Sequence, residues 1–439
     1  MPPTFADLGV PSDLVAALSR RSILEPFPIQ AATLPDALAG RDVCGKAPTG
    51  SGKTLAFGIA AIARLGNRKP NPRRPRVLIL TPTRELCAQV ATELSHLATP
   101  RGMRVASFYG GVGYQPQIKA LSRGLDVAVA CPGRLEDLLQ GKNLWLDEVE
   151  VVVVDEADRM ADMGFLPAVK RLLDRTPEDR QTLLFSATLD GDVDVLVKRY
   201  QNNPARHELE ETEEFLANSE HLFWKVESTA RADVAARIAA SNGPTIVFCR
   251  TRHSTDRTAR QLTARGVKAV AIHGDRSQAQ REKALAAFAN GQAGALVATD
   301  VAARGIHVDG VAVVVHFDPP ADAKDYTHRS GRTARAGATG LVVSLVTPEK
   351  AQAVKKLQRE LGFPQGIHPP DQDTLGPALL AVAPTADDRS SGSSSSWGGS
   401  GQSRGSNQGS RRPEGQGRPS RPRPGAARGN AHRRPRRAS

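Results

Sequence analysis

Aromatic side chains make up only 4% of the 439 residues, which argues against a protein that reads nucleic-acid sequence by stacking bases. Cysteine is scarce too: Cys44, Cys87, Cys131 and Cys249 are scattered, with no Cys-x-x-Cys pair. That spacing argues against a zinc site or a disulfide framework and leaves four small residues expected in buried places at strand ends. No apolar run approaches the ~18 residues that a membrane helix requires. Met1 to Asp7 lacks the basic and apolar regions of a signal peptide, so a reducing cytoplasm is the expected compartment. Lysine is absent from Pro384 to Ser439, where twelve arginines face three acids among Ser, Gly and Pro. Such a tail cannot bury a core and is expected to be disordered. Its charge suits a polyanion, although a merely solubilising tail has the same composition.

What the chain does have is one loop around which the rest is organised: Ala47-Pro48-Thr49-Gly50-Ser51-Gly52-Lys53-Thr54. A short apolar run, Val43-Cys44, precedes it, and the helix-like stretch Leu55 to Ala63 follows. Strand, glycine loop and helix together form the context in which backbone N–H groups and a helix N-terminus cradle phosphates. Lys53 reaches the outer phosphates in such a loop, and the Thr54 hydroxyl suits Mg²⁺. An ordinary Gly/Ser-rich turn before a helix is the bland alternative.

Continuous apolar runs then recur, each ending in a polar cluster. Val77 to Leu80 leads to Thr81-Pro82-Thr83-Arg84, Val127 to Ala130 to Cys131-Pro132-Gly133-Arg134, Val151 to Val154 to Asp155-Glu156-Ala157-Asp158, and Leu183 to Phe185 to Ser186-Ala187-Thr188. Runs without alternation are how parallel strands buried on both faces read. Open α/β sheets place ligands at those carboxyl ends. The first α/β domain is expected over residues 1–204 and an acidic linker over 205–220. A second α/β domain follows over 221–370, with its sheet closed by Leu341 to Val346, and then the tail over 371–439. The second domain has no phosphate loop of its own, which suggests a site shared across a cleft.

Asp155 at a strand end is suited to Mg²⁺, and Glu156 beside it to orienting or deprotonating a water. A solvated acidic turn is the alternative reading. Arg332 and Arg335 fall on one face if the segment from His328 is helical, and two guanidiniums there match the charge of a γ-phosphate. A basic surface helix is the commoner fate of such a run. Gln30, upstream of the loop, offers a donor and an acceptor suited to an adenine edge. Thr299, Asp300, Arg304 and Gly305 sit at a strand end suited to a ribose or to the other domain, and Ser186 and Thr188 to linking sites. Arg84, Gly110, Gly111, Arg134, Arg252, Gly274, Gln278 and Arg281 are candidates for phosphate contacts with a nucleic acid.

In order, these motifs resemble the DEAD-box ATP-dependent RNA helicases, named for the Asp-Glu-Ala-Asp found here at 155 to 158. The likeness runs from about Phe5 to Gly362 and accounts for Ala47 at the head of the loop. Within the family the short core and basic tail look most like the bacterial RhlE-like kind. The resemblance implies two RecA-like domains that close together on ATP, Mg²⁺ and single-stranded RNA. It implies that Phe5 and Gln30 recognise adenine, that the loop with Thr49, Gly50, Ser51 and Gly52 holds phosphates, and that Arg332 and Arg335 act as arginine fingers. His328 becomes a coupling residue and Asp300 a nucleotide or interdomain contact. The implied activity is local unwinding of short RNA duplexes by a monomer, with an ATP-gated RNA clamp or annealing scaffold as the alternative. Three positions depart from the family pattern: Phe27 and Cys131 where Thr is usual, and His307 where Asp is common. His307 would make one interdomain contact depend on pH near its ordinary titration range.

Overall fold

The computed structural model describes residues 3–48, 50–66, 68–189, 191–209, 219–303, 308, 310–334 and 339–376. Thr49, Arg304, Gly305, His307, Arg335 and the tail lie outside the described residues. Two parallel sheets carry the fold. The first contains β1 (Val43–Lys46), β2 (Val77–Leu80), β3 (Val105–Phe108), β4 (Val127–Ala130), β5 (Val151–Asp155), β6 (Gln181–Ser186) and β7 (Ala205–Glu208), in the order β3-β4-β2-β5-β6-β1-β7. The second contains β8 (Ser219–Lys225), β9 (Thr245–Phe248), β10 (Ala269–Ile272), β11 (Ala295–Ala298), β12 (Val313–His316) and β13 (Gly340–Val346), in the order β10-β11-β9-β12-β13-β8. The orders correspond strand for strand, with β7 as an addition to the first sheet.

The valine runs explain the layering. Along β5, Val151 and Val153 pack into one core and Val152 and Val154 into the other, because successive side chains leave opposite faces. In the second sheet Val313 and Val315 divide from Val314 in the same way. A strand buried on both sides needs an apolar residue at every position, hence the absence of alternation.

Three expectations are corrected. Residues 205–208 are not linker: β7 pairs in parallel with β1, Ala205 opposite Val43. β13 does not close the second sheet, since β8 pairs outside it from Ser219 to Lys225. The second domain does not stop at 370 either. The short helix Gln372–Leu375 buries Leu375 in its core, and Asn242 Nδ2 donates to Thr374 O at 2.8 Å.

Candidate nucleotide cleft and nucleic-acid face

The cleft is built from the loop upward. The backbone after β1 passes through Gly50 and Gly52, both at positive φ, before the helix Lys53–Arg64 begins. Gly52 is required twice over. Its φ of 87° disfavours a side chain, and a Cβ there would come within 2.5 Å of Gln30 Nε2 and 2.6 Å of Phe27 Cδ2. Gln30 spans both neighbours: its Oε1 accepts from Phe27 N at 2.9 Å and its Nε2 donates to Gly52 O at 2.9 Å. The amide expected to read adenine thus also braces the loop, which uses one of its two donor hydrogens and one of its two acceptor lone pairs. Phe5, expected beside the base, is 2% exposed in the core, whereas Phe27 is 46% exposed and lines the cleft.

Lys53 is buried and donates to Ala47 O at 2.6 Å and Pro48 O at 3.0 Å. Burial lowers its pKa, against the opposing pull of Asp155 and Glu156. Those two acids end β5. Burial, reinforced by the charge of Glu156, pushes Asp155 up to about 7. Glu156 takes a left-handed φ of 52°, and its N–H donates to Asp155 Oδ1 at 3.0 Å. Its carboxylate lies 3.3 Å from Arg159 Nε. Among the described residues, Glu156 Oε2 and Asp158 Oδ2 are buried without a hydrogen-bond partner. Ser186 fastens the arrangement from β6: its carbonyl accepts from Ala47 N at 3.0 Å and its hydroxyl from Asp158 N at 3.2 Å. Both of these Ser186 hydrogen bonds lie within the first domain, and Thr188 follows it half-buried.

The cleft, about 520 Å³, is lined by Phe27, Gly50, Gly52, Lys53, Thr54, Asp155 and Glu156 from the first sheet and by Arg332 from the second. Its volume suits a nucleotide-sized ligand. Arg332 lies beyond the helix Ala323–Ser330, which Gly331 caps, and Arg335 falls outside the described residues. The turn after that helix is what brings Arg332 to the cleft. Arg332, His328 and Asp300 also meet Arg159 of the first domain around a second, small cavity. Asp300 is already held: Arg329 binds its carboxylate with Nε at 2.5 Å and Nη2 at 2.8 Å. It thereby ties the end of β11 to the helix carrying His328, beside the cavity shared with Arg159.

The nucleic-acid candidates divide. Arg84 starts a helix capped by Thr83, whose hydroxyl accepts from Leu86 N at 3.3 Å. Its guanidinium lies against Gly110 and Gly111, and Gly111, at φ 85°, leaves no room for a Cβ beside Arg84 Nη1. The second sheet repeats the device: Thr251 caps the helix begun by Arg252, and a Cβ added at Gly274 would lie 3.8 Å from Arg252 Nε. Arg252 also pairs with Asp275. Thr299 is buried at the end of β11. Gln278 and Arg281, by contrast, are turned into the seam between the domains. Arg281 Nη2 meets Glu85 Oε2 at 2.8 Å, and Gln278 Nε2 meets Glu85 Oε1 at 3.4 Å. Arg134 is buried, donating to Gln117 Oε1 and Val112 O, both at 3.1 Å. A second link crosses the seam where Lys324 Nζ contacts both oxygens of Asp162, at 2.8 and 2.9 Å. Sequence reasoning did not single out Phe27 as a cleft residue, nor Glu85, Arg159, Asp162 or Lys324. Glu85, Arg159 and Asp162 lie within or just after motifs already noted, which was the available signal.

A family model described as DEAD/DEAH box helicase matches residues 27–196, and one described as helicase conserved C-terminal domain matches residues 230–337. The chain is 44% identical over 368 residues to the chloroplastic DEAD-box ATP-dependent RNA helicase 3B of Zea mays, covering 82% of this chain and 49% of that protein. It is 38% identical over 358 residues to the DEAD-box ATP-dependent RNA helicase CshA of Bacillus subtilis, covering 81% and 72%. The chain thus spans about half the length of the maize relative. Among solved structures it is similar to S. cerevisiae Dbp5 bound to RNA and ADP BeF3, with 25% identity and a TM-score of 0.72 over 83% of this chain and 95% of that one. It is similar also to a DEAD box protein from the hyperthermophile Methanococcus jannaschii, with 33% identity and a TM-score of 0.51 over 84% and 99%.

Proposed function

This chain belongs to the DEAD-box helicase family, and on that footing we propose that it is an ATP-dependent RNA helicase, opening short RNA duplexes or remodelling ribonucleoprotein as it binds and hydrolyses ATP. The observation that carries the reading is the shared cleft, where Lys53, Thr54, Asp155 and Glu156 of one sheet meet Arg332 of the other. The likeness to Dbp5 in complex with RNA and ADP BeF3 supports the same two-domain arrangement.

The residues divide the labour by their chemistry. The loop N–H groups and Lys53 bind the β- and γ-phosphates. Phe27 offers its exposed ring to the base, a role the resemblance gave to Phe5. The cluster of buried carboxylates fits a divalent cation: Asp155 and the Thr54 hydroxyl would hold Mg²⁺ together with phosphate oxygens, beside the Glu156 and Asp158 oxygens that lack a hydrogen-bond partner. Bound there, Mg²⁺ would supply charge neutralisation to the phosphates. Among the described residues no group of three or more His, Cys, Asp or Glu side chains converges, so phosphate oxygens and water would complete its shell. Glu156 accepts the proton of the water that attacks the γ-phosphorus, and ADP leaves with its terminal oxygen. Arg332 stabilises the charge on the transferred group, which makes turnover conditional on the second domain being in place.

Arg84 with Gly110–Gly111 and Arg252 with Gly274 form the phosphate-binding strip for single-stranded RNA. The Glu85 seam lies directly beside Arg84, so the strip continues from one domain to the other. A monomer suffices for this site. No helix among the described residues is long and apolar enough to cross a membrane, and the four cysteines are free thiols, which fits a reducing compartment. The RhlE-like assignment rests on the short core and basic tail alone.

The ion pairs across the seam favour a second reading, an ATP-gated clamp that holds RNA without displacing a strand. Steady-state ATP hydrolysis with single-stranded RNA and with DNA of the same sequence, followed by strand displacement on a short RNA duplex, tests both. Stimulation by RNA together with displacement supports the helicase. Stimulation without displacement selects the clamp, and equal stimulation by DNA contradicts the RNA assignment.

A further inference from the structure

Arg134 was expected to present a guanidinium to phosphate, and the structure puts something else in its place. Arg134 is 8% exposed. Two of its donors are taken by Gln117 and Val112, and Asp137 lies 3.9 Å from its Nε. Above it lies Tyr114, whose ring centroid is 4.0 Å from the guanidinium carbon. Tyr114 is 44% exposed, and its hydroxyl donates to Asp137 Oδ2 at 2.8 Å. What faces solvent here is therefore one side of an aromatic ring, anchored at its hydroxyl and backed by a cation.

The topology fixes where that ring stands. β3 and β4 are the outer strands of the first sheet on the side away from β1, next to β2. Tyr114 follows Gly110–Gly111 in the segment after β3 and rests on Arg134, just beyond β4. Gly110–Gly111 is in turn packed against Arg84, after β2. A strand whose phosphates lie on Arg84 and the glycines would run beside the segment that carries the ring, three residues on from Gly111.

We propose that Tyr114 is a stacking platform for a base of the bound RNA strand, a contact that rests on the RNA-helicase reading above. The ring is held before the RNA arrives, so little side-chain freedom is lost on binding. The Arg134 cation on its inner face withdraws electron density, which favours an electron-rich purine on the outer one. Stacking tolerates any base and draws on no phosphate charge. The low aromatic content of the chain is compatible with one such platform, since a single anchored ring is enough.

The test measures RNA affinity by fluorescence anisotropy at several salt concentrations for wild type, Tyr114→Leu and Tyr114→Phe. Each binds a single-stranded oligoribonucleotide and its abasic counterpart in the presence of a non-hydrolysable ATP analogue. Tyr114→Leu keeps an apolar cover on Arg134, and retained binding of a fluorescent ATP analogue confirms that it is folded. The expected result is a loss of about tenfold or more for base-bearing RNA in Tyr114→Leu, no loss for abasic RNA, and an unchanged salt slope. Tyr114→Phe, which keeps the ring without its anchor, falls in between. Equal losses on both oligomers, no loss on either, or a salt slope shallower by about 0.7, the signature of one lost phosphate contact to a single strand, overturns the proposal. Wild type that binds RNA while Tyr114→Leu matches it removes this inference alone. Wild type that binds no RNA removes the helicase reading and this inference with it.

Discussion

Lys53 and Arg231 are each the first residue of the helix that follows corresponding strands, β1 and β8, yet they end in different surroundings. Arg231 is neutralised on the spot. It meets Asp318 Oδ1 at 3.0 Å, donates to Phe317 O at 3.0 Å and lies over the Phe317 ring. Lys53 donates to carbonyl oxygens, and the acids of its sheet stand apart from it. The registers of β5 and β12 on β2 and β9 put Asp155 level with Phe317, and Glu156 level with Asp318. The same frame thus carries a closed ion pair in one domain and separated, buried charges in the other. Separation costs stability, because each charge is desolvated without a full partner. It is also what leaves room for phosphates and a cation. The two connecting loops are nearly equal in length, residues 47–52 and 226–230, but the loop before Lys53 carries Gly50 and Gly52 at positive φ, which opens the gap.

That comparison is broken or sharpened by substitutions at level positions of the two sheets and at the seam between them. The largest effect is expected at Glu156. Glu156→Gln should cut turnover by roughly 10²–10⁴ and leave ATP binding in place, read as kcat against the Kd of a fluorescent nucleotide. Asp318→Gln, at the level position in the other sheet, should spare most of the turnover measured well below its Tm.

Next come the two aspartates, with stability effects of opposite sign. A carboxyl whose pKa is raised by folding holds its proton longer in the native state than in the unfolded one, so stability falls as pH rises from about 4 through about 7. Asp155→Asn should remove that fall and raise Tm at pH 8, with little difference at pH 4. Asp318→Asn leaves Arg231 short of a partner and should lower stability at pH 8 by about 1–3 kcal/mol. Thermal melts across pH 4–8 report both. A fall in Tm for Asp155→Asn at pH 8 would contradict the account of the separated charges.

The smallest effect is at the half-exposed Lys324–Asp162 link across the seam, worth at most ~1 kcal/mol. Lys324→Glu should lower RNA-stimulated ATPase by about two- to fivefold at low salt, and adding Asp162→Lys should restore it. The deficit should shrink as salt rises, because exposed charges are screened. Absence of rescue by the reversed pair would remove Lys324 and Asp162 as a seam contact.

Much of this frame was legible in the residues. The buried strands announced themselves as valine and alanine runs, and the phosphate loop and Asp155-Glu156 by position at strand ends. β3, β7 and β8 did not, because edge or near-edge strands with half-exposed faces mix polar and apolar residues and lose the continuous run. The arginines were the least legible. Arg84, Arg134, Arg281 and Arg329 carry the same guanidinium, and only tertiary packing decides which meets a glycine pair, a tyrosine, Glu85 or Asp300. Phe5 and Phe27 show the same limit for aromatics: both precede the loop, but only packing tells which one is core.

Arg332 tests the central claim most directly, since among the described residues it is the one that brings the second domain's charge into the cleft. The measurement is steady-state ATP hydrolysis by Arg332→Ala with saturating single-stranded RNA, beside its nucleotide affinity. The account predicts a loss of roughly 10³-fold or more in kcat, with nucleotide still bound. Hydrolysis at the wild-type rate would mean that the first sheet works alone and that the shared cleft is not the active site.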